Sequence, residues 1–494
     1  MEYISHLFNF YTLLLVFMGT LGGIFIGVLP GLSGPTGVAL LLPFTFAMTP
    51  VNGLLMLGGL YMGSSYGGSI SAILLNAPGT EYAAATALDG FPLMRQGRGK
   101  EALYYSLSAS AVGGIIGVGA LITMAPYLAK VALKFGPPEM FLLAAAGLAI
   151  IGALAGKNIS KGIIAGALGV LISTVGEDIG TGFYRLTFGM ENLECGIPLV
   201  PALVGLFAVT EMINQSLNIK NATLSNMPMQ EAAFMPIFKN MVKRFKSPLW
   251  KGSFLGTIIG VMPGAGATVA SFIAYGEAKR ASKTPEKFGN GSLEGIVAAE
   301  SANNASVGGA LVPLLSLGIP GSTTTAILYG ALTIHGLVPG PRLFVENPEV
   351  AYPFLFGMLL TVVIMVAIGI VGANYFTKVM YVPVKILVPV ILTLCFLGAY
   401  SINNSVFDIL LTILFGLLGV LFKRISIPIA PIVLGIILGP IGEESLRQSM
   451  VIASAHGKTL MGYVIGRPIS IILFLLLLAV LGTSFSAFMK MKKN

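Results

Sequence analysis

The stretch GVLPG at residues 27–31 returns as GVMPG at 260–264. Each copy is followed by a glycine pair, Gly67-Gly68 or Gly308-Gly309, and then by PGT at 78–80 or PGS at 320–322. Gly27 to Gly260 is 260 − 27 = 233 positions, Gly67 to Gly308 is 241, and Pro78 to Pro320 is 242. Agreement in order with so small a drift marks two related halves that differ by loop insertions. It also points to a site that the halves share.

Hydrophobic residues make up 55% of the 494 and charged ones 10%, with a mean hydropathy of +0.88; these values describe a polytopic membrane protein. Apolar runs of roughly 17–25 residues, the length that crosses a bilayer, recur along the chain, and about ten to twelve crossings are predicted. The first run begins near Met1 with no basic region or small-residue cleavage site before it, so no removed signal peptide is expected. Sixty-three glycines are too many for simple lipid-facing helices and predict close helix contacts and broken helices around a cavity. Cys195 and Cys395 match no metal or redox spacing. The net charge of +9 sits in short loops, where it reports membrane orientation and not nucleic-acid binding.

Six bases lie between Lys220 and Lys251 against the single acid Glu231, so this longest polar loop is expected in the cytoplasm. Residues 252–278 then fall between two cytoplasmic basic segments, yet they are too few for two crossings of about 20 residues each. A re-entrant hairpin with Pro263-Gly264 at its tip satisfies this, because irregular backbone at membrane depth is tolerated against protein or a wet cavity. The matching first-half segment, roughly 20–49, has uncharged flanks and would enter from outside. The fold class predicted is therefore an all-α polytopic membrane protein with two inverted repeats containing re-entrant hairpins and broken helices, and with sites near the midplane at the repeat interface. A competing reading makes 5–28 an ordinary span that Pro30-Gly31 merely ends. The predicted division is a first repeat over 1–100, scaffold spans over 101–218, a basic linker over 219–251, a second repeat over 252–345 and further scaffold spans over 346–494.

Proline and glycine at the tips, Pro30, Gly31, Pro263 and Gly264, free backbone carbonyls for a cation and amides for an anion. Hydroxyls follow each tip: Ser33 and Thr36 in the first copy, Thr268 in the second. The turns Gly79-Thr80 and Gly321-Ser322-Thr323 read as helix starts with Thr80 and Ser322 as N-caps. A helix N-terminus carries roughly half a positive charge, so two aimed at one cavity favour a carboxylate. Gly67, Gly68, Gly308 and Gly309 complete the candidate substrate set. In the apolar run 295–310, Glu300, Ser301, Asn303 and Asn304 are functional candidates by default, because buried polar groups are costly in hydrocarbon. Glu300, Ser301 and Asn303, with Ser65 and Asn76 of the first half, are the ion-coupling candidates; Asn303 and Asn304 alternatively tie helices together. Asp89 and His335 end the two repeats, as proton relays or as interfacial caps. The acids Glu177, Asp178, Glu191 and Glu194 form an outer loop, solvated or facing a partner. No catalytic triad, phosphate loop or metal-ligand cluster is visible, and no enzyme is expected.

The runs GVLPGLSGPTGVALLLPFTF, YGGSISAILLNAPGTEYAAATALDGFPLMRQGRG and ESANNASVGGALVPLLSLGIPGSTTTAILYGALTIHGLVPGP resemble the large membrane subunit of the tripartite tricarboxylate transporters, the TctA-type family. The resemblance covers nearly the whole chain. It implies a permease of the inner, cytoplasmic membrane with a small four-helix membrane subunit and an extracytoplasmic solute-binding protein as partners. It also implies uptake of citrate-like carboxylates coupled to Na+ or H+, with no other cofactor. The matching positions are the tips at 27–36 and 260–268, the glycine pairs, 300–305 and the PGT and PGS turns. Where a proline is expected before the glutamate this chain reads AAES, which removes a helix-break signal there. A passive channel or a non-transporting scaffold is the alternative, separated by whether solute accumulates against its gradient.

Overall fold

A computed structural model describes residues 6–29, 32–154, 159–178, 180–217, 230–262, 266–373, 375–376, 384–475 and 477–478. The first half contributes α1 (Phe10–Val28), α2 (Gly34–Thr45), α3 (Pro50–Leu75), α4 (Ala84–Arg95) and α5 (Gly99–Ala132). Then come α6 (Pro137–Leu154), α7 (Ile159–Ser173) and α8 (Leu199–Leu217), the last carrying a π-helical turn at Gly205–Val209. The second half contributes α9 (Phe234–Arg244), α10 (Lys246–Val261), α11 (Gly266–Ala281), α12 (Leu293–Leu317), α13 (Thr323–Ile334) and α14 (Pro348–Gly372). The chain continues through α15 (Val384–Asn403), α16 (Val406–Arg424), α17 (Ile429–Ala455) and α18 (Leu460–Ile465).

Among the described residues the fold is all-α apart from a ribbon pairing Gly176–Glu177 with Tyr184–Arg185. Among the described residues seven helices are long and apolar enough to cross a membrane: α1, α5, α8, α14, α15, α16 and α17. The protein is a multi-pass membrane protein. The helices α3 and α12, at 26 and 25 residues, are equally long, but glycine, serine and asparagine dilute their hydropathy and both are buried over most of their length. They form the centre of the bundle.

Small residues explain how they fit there. A Cβ on Gly23 of α1 would fall 2.3 Å from the Leu60 carbonyl oxygen of α3, and one on Gly256 of α10 would fall 2.2 Å from that of Ala302 in α12. Gly19 and Gly27 repeat the contact one turn away on either side, as do Gly252 and Gly260. Backbones that approach this closely gain dispersion contacts, which drive helix association where lipid removes the hydrophobic effect. Trp250, Phe254 and Ile258, at the same four-residue spacing on α10, are exposed and face outward.

These contacts set the register between halves. Gly19, Gly23 and Gly27 meet Met56, Leu60 and Ser64, whereas Gly252, Gly256 and Gly260 meet Ala298, Ala302 and Ser306. The arms are thus offset by 233 (256 − 23) and the buried helices by 242 (302 − 60). Gly67, against the Ile24 carbonyl, is therefore equivalent to Gly309, against that of Thr257, and not to Gly308. Matching the glycine pairs by eye slips the sequence register by one. The left-handed C-caps agree with the corrected register, since Asn76 (φ 56°) and Gly318 (φ 73°) are also 242 apart (318 − 76).

Direction follows from the same pairs. Each arm runs parallel to its own buried helix, but α3 and α12 are antiparallel, since Ser69 meets Glu300 and Ser65 meets Asn303. Asn304 donates to the Met62 sulfur at 3.4 Å, and Met62 and Asn304 occupy equivalent places (304 − 62 = 242). The axis relating the halves passes between them.

The second hairpin has arms of 16 residues each, about 24 Å at 1.5 Å per residue and short of a bilayer core of about 30 Å. Its first arm begins at Lys246, ahead of the predicted 252. The first hairpin differs more from expectation: α1 starts at Phe10, not near residue 20, and its 19 residues meet the length of a span, as the competing reading has it. Even so, α1 packs on α3 in the register that α10 keeps on α12. The tips Pro30, Gly31, Pro263 and Gly264 lie outside the described residues. Across the AAES run α12 is continuous, as the missing proline implies.

Candidate functional site

Around the axis the halves bring together Asn303 and Asn304 of α12 with α3 and α14. The Asn303 Nδ2 donates to the Ser65 carbonyl at 3.0 Å, and the Asn304 Nδ2 lies 3.4 Å from Met62 Sδ and 3.5 Å from Met365 Sδ. Both amides are fully buried, and neither Oδ1 has a hydrogen-bond partner among the described residues. Helix tying, the alternative role for these two, accounts for their nitrogens. It leaves their oxygens free to meet a ligand.

Comparing equivalent positions locates one end of that ligand. Tyr61 on α3 reaches Ser322, with the two hydroxyls 3.1 Å apart. Adding 242 to Tyr61 gives Asn303, and Ser322 is the equivalent of Thr80 (322 − 242), so symmetry would pair Asn303 with Thr80. An asparagine is several ångströms shorter than a tyrosine, and both the Asn303 Oδ1 and the Thr80 Oγ1 are buried without partners. They share a neighbourhood, because Thr80 lies against Gly68 while Asn303 holds the Ser65 carbonyl one turn away on α3. Where the first half closes its contact, the second leaves polar atoms unsatisfied, an arrangement native proteins reserve for water, ions or ligands.

Glu300 lies one turn before Asn303 and is fully buried. Ser69 of α3 donates to its Oε1 at 2.6 Å, Thr86 of α4 to the same oxygen, and Ser110 of α5 to Oε2 at 3.0 Å. A carboxylate from the second half is thus held by hydroxyls from three helices of the first. Sequence reasoning singled out Glu300 but missed Ser69, Thr86, Ser110 and Tyr61. The serines at 106, 108 and 110 in an otherwise apolar helix were the available signal for α5.

The other candidates fall into distinct places. Ser33 caps α2, accepting from the Thr36 amide at 3.4 Å with the two hydroxyls 2.9 Å apart. Ser322 forms a full capping box with Thr325, next to Gly321 and Thr323. Thr80 precedes a single 3₁₀ turn and makes no capping bond, contrary to its reading as an N-cap. Gly79 and Gly321 pack against the Gly27 and Gly260 carbonyls, so each turn sits on the end of its own hairpin arm. Gly67, Gly308 and Gly309 lie against neighbouring backbone. Ser301 bonds within its helix at the α10 contact, Thr268 is half-buried on the first turn of α11, and Asn76 is exposed at the end of α3. Asp89 acts as a cap, because its Oδ1 accepts from the amides of Gly289, Gly291 and Ser292 ahead of α12. His335, at the corresponding end of α13, lies beside Gly53 on the first turn of α3.

Residues 13–434 match the pattern of the tripartite tricarboxylate transporter TctA family. A relative in Agrobacterium vitis, an uncharacterized 52.8 kDa protein in the TAR-I ttuC' 3' region, is 38% identical over 437 residues, covering 88% of this chain and 86% of its own. A second protein of that organism, in the TAR-II ttuC' 3' region, is 37% identical over 198 residues, covering 40% of this chain and 82% of its own. No solved structure matches the chain.

Proposed function

Because the chain belongs to the tripartite tricarboxylate transporter TctA family, a transporter component, we propose that it is the permease that carries citrate-like carboxylates across the inner membrane. A gradient of Na+ or H+ drives the uptake, a solute-binding protein delivers the substrate outside the cell, and a small membrane subunit completes the complex. The two halves act as inverted repeats, a reading supported by the antiparallel course of α3 and α12. The substrate binds at their axis, between the PGT and PGS turns and Asn303.

One observation carries this reading: the unsatisfied pair Asn303 Oδ1 and Thr80 Oγ1, at the place where the other half makes the closed Tyr61–Ser322 contact. Thr80 can donate its hydroxyl to a carboxylate oxygen, and Asn303 can accept from a substrate hydroxyl. The capped N-terminus of α13 at Ser322 adds partial positive charge facing the same axis. Movement of the hairpin and buried helices against the outer spans would alternate access, as repeat-built carriers do.

Reconstitution tests it. The chain in proteoliposomes with its small subunit and loaded binding protein should accumulate labelled citrate or a related carboxylate above its external concentration, and collapsing the ion gradient should abolish the accumulation. Equilibration without accumulation would identify a channel. A full rate without partners would remove the tripartite requirement.

A further inference from the structure

The Glu300 carboxylate is enclosed at the centre of the protein, and no Lys, Arg or His forms an ion pair with it among the described residues. Its three bonded partners all donate: Ser69 and Thr86 to Oε1, Ser110 to Oε2. Donation fits the ionised form, but a hydroxyl can also accept, so a protonated acid would be held by the same three groups. An ionised group at this depth is expensive unless a positive charge accompanies it.

Oxygen atoms with free lone pairs stand nearby. Ser106, one turn from Ser110 on α5, is fully buried, and its Oγ faces the Glu300 carboxyl with no other hydrogen-bond partner among the described residues. Carboxylate and hydroxyl oxygens, without nitrogen or sulfur, are the donor set of a hard cation, and a single negative charge suits a monovalent one. We propose that Glu300, Ser106 and Ser110 bind one Na+ ion across the two halves, with the carboxylate from the second and the hydroxyls from the first. The site occurs once per chain. The position equivalent to Glu300 is Gly58 (300 − 242), which has no side chain and packs against Met358 and Phe354.

That this ion drives uptake rests on the transport reading; the site itself does not. The test is equilibrium binding of radioactive sodium to the purified full chain in lipid nanodiscs at alkaline pH, with no carboxylate present. Wild type should bind one ion per chain, with K+ competing poorly. Glu300→Gln should lose that binding, and Ser110→Ala should weaken it roughly tenfold, the worth of one hydrogen bond or ligand to a charged site. If Glu300→Gln does not fold, the Ser106→Ala and Ser110→Ala affinities decide. Sodium binding unchanged in these variants, or absent from wild type, would overturn the proposal. So would a wild type that exchanges only a Glu300-dependent proton. A chain that binds sodium through Glu300 but moves no carboxylate would support the site and refute the transport reading.

Discussion

The two halves share a scaffold but not an interior. Along the arms they are interchangeable, with three glycines per arm at four-residue spacing meeting the backbone of α3 or α12 in one register. At the axis they diverge. The first half presents Gly58, Tyr61 and Met62, while the second presents Glu300, Asn303 and Asn304 at the same places. Shared positions carry the packing on which any membrane bundle depends. Divergent ones carry buried polar groups beyond that shared packing, among them the unpartnered oxygens of Asn303 and Asn304, and these are the positions to assign to binding.

The largest expected effects test the shared part. Gly23→Val and Gly256→Val should each abolish recovery of folded protein, because a side chain at either site must displace backbone at 2.2–2.3 Å. Normal yield from one variant and none from the other would break the equivalence of the arms.

Next come the divergent positions. Asn303→Ala should lower uptake by about tenfold or more at unchanged membrane abundance, whereas Tyr61→Phe should stay within about threefold, since it removes one hydroxyl from a closed neutral contact. Asn303→Tyr sharpens the comparison. It restores the symmetric contact with Thr80, fills the space assigned to substrate, and should stop transport in a protein that still folds. Uptake retained by Asn303→Tyr would move the substrate elsewhere.

A smaller effect concerns the outer ribbon, a region outside both repeats. Asp178 pairs with Arg447 at 2.9 Å and Arg185 with Glu443 at 2.6 Å, clamping the ribbon to α17. The acidic loop, read from sequence as solvated or partner-facing, therefore uses Asp178 internally. The Thr181 hydroxyl and the Gly180 amide, with Arg447, hold the Asp178 carboxyl down at about 2. A depressed carboxylate contributes stability above its unfolded pKa of about 3.9, and that contribution is lost as pH falls through the folded value. Hydrogen exchange over 176–185, taken relative to the intrinsic rate at each pH, should thus be unchanged from neutral pH to about 5 and rise between about 4 and 2. Arg447→Gln should raise it modestly at neutral pH, and no change in either case would mean the clamp does not hold the ribbon.

Much of this was legible in the sequence, and the limits are physical. Composition and the repeated Pro-Gly motifs give the all-α membrane fold, the two halves and the second hairpin, because bilayer thickness and backbone hydrogen bonding leave few alternatives. The register of α3 on α12 was not legible to the residue: Gly67 resembles both Gly308 and Gly309, and only the contact with the Thr257 carbonyl decides. Glu300 and Asn303 stood out as polar groups in an apolar run. Their partners did not, since Ser69, Thr86 and Ser110 are 190 to 231 residues away and single hydroxyls are common in membrane helices. The length of α1 was misjudged because its uncharged flank gives no start signal; the Asn9 side chain, which caps it through the Tyr11 amide, was the cue available.

The central claim is that equivalent elements of the two halves run in opposite directions across the membrane, and side-specific labelling tests it most directly. Thr49 and Lys283 are both exposed and flank the buried helices α3 and α12 at corresponding places after each hairpin. In a background where the exposed Cys195 and the buried Cys395 are replaced by serine, Thr49→Cys and Lys283→Cys are treated in intact cells with a thiol reagent that cannot cross the membrane. The account predicts that Thr49→Cys is labelled from outside and that Lys283→Cys is labelled only after the membrane is opened. Labelling of both from the same side would contradict the inversion and, with it, the location of the binding site on the axis between the halves.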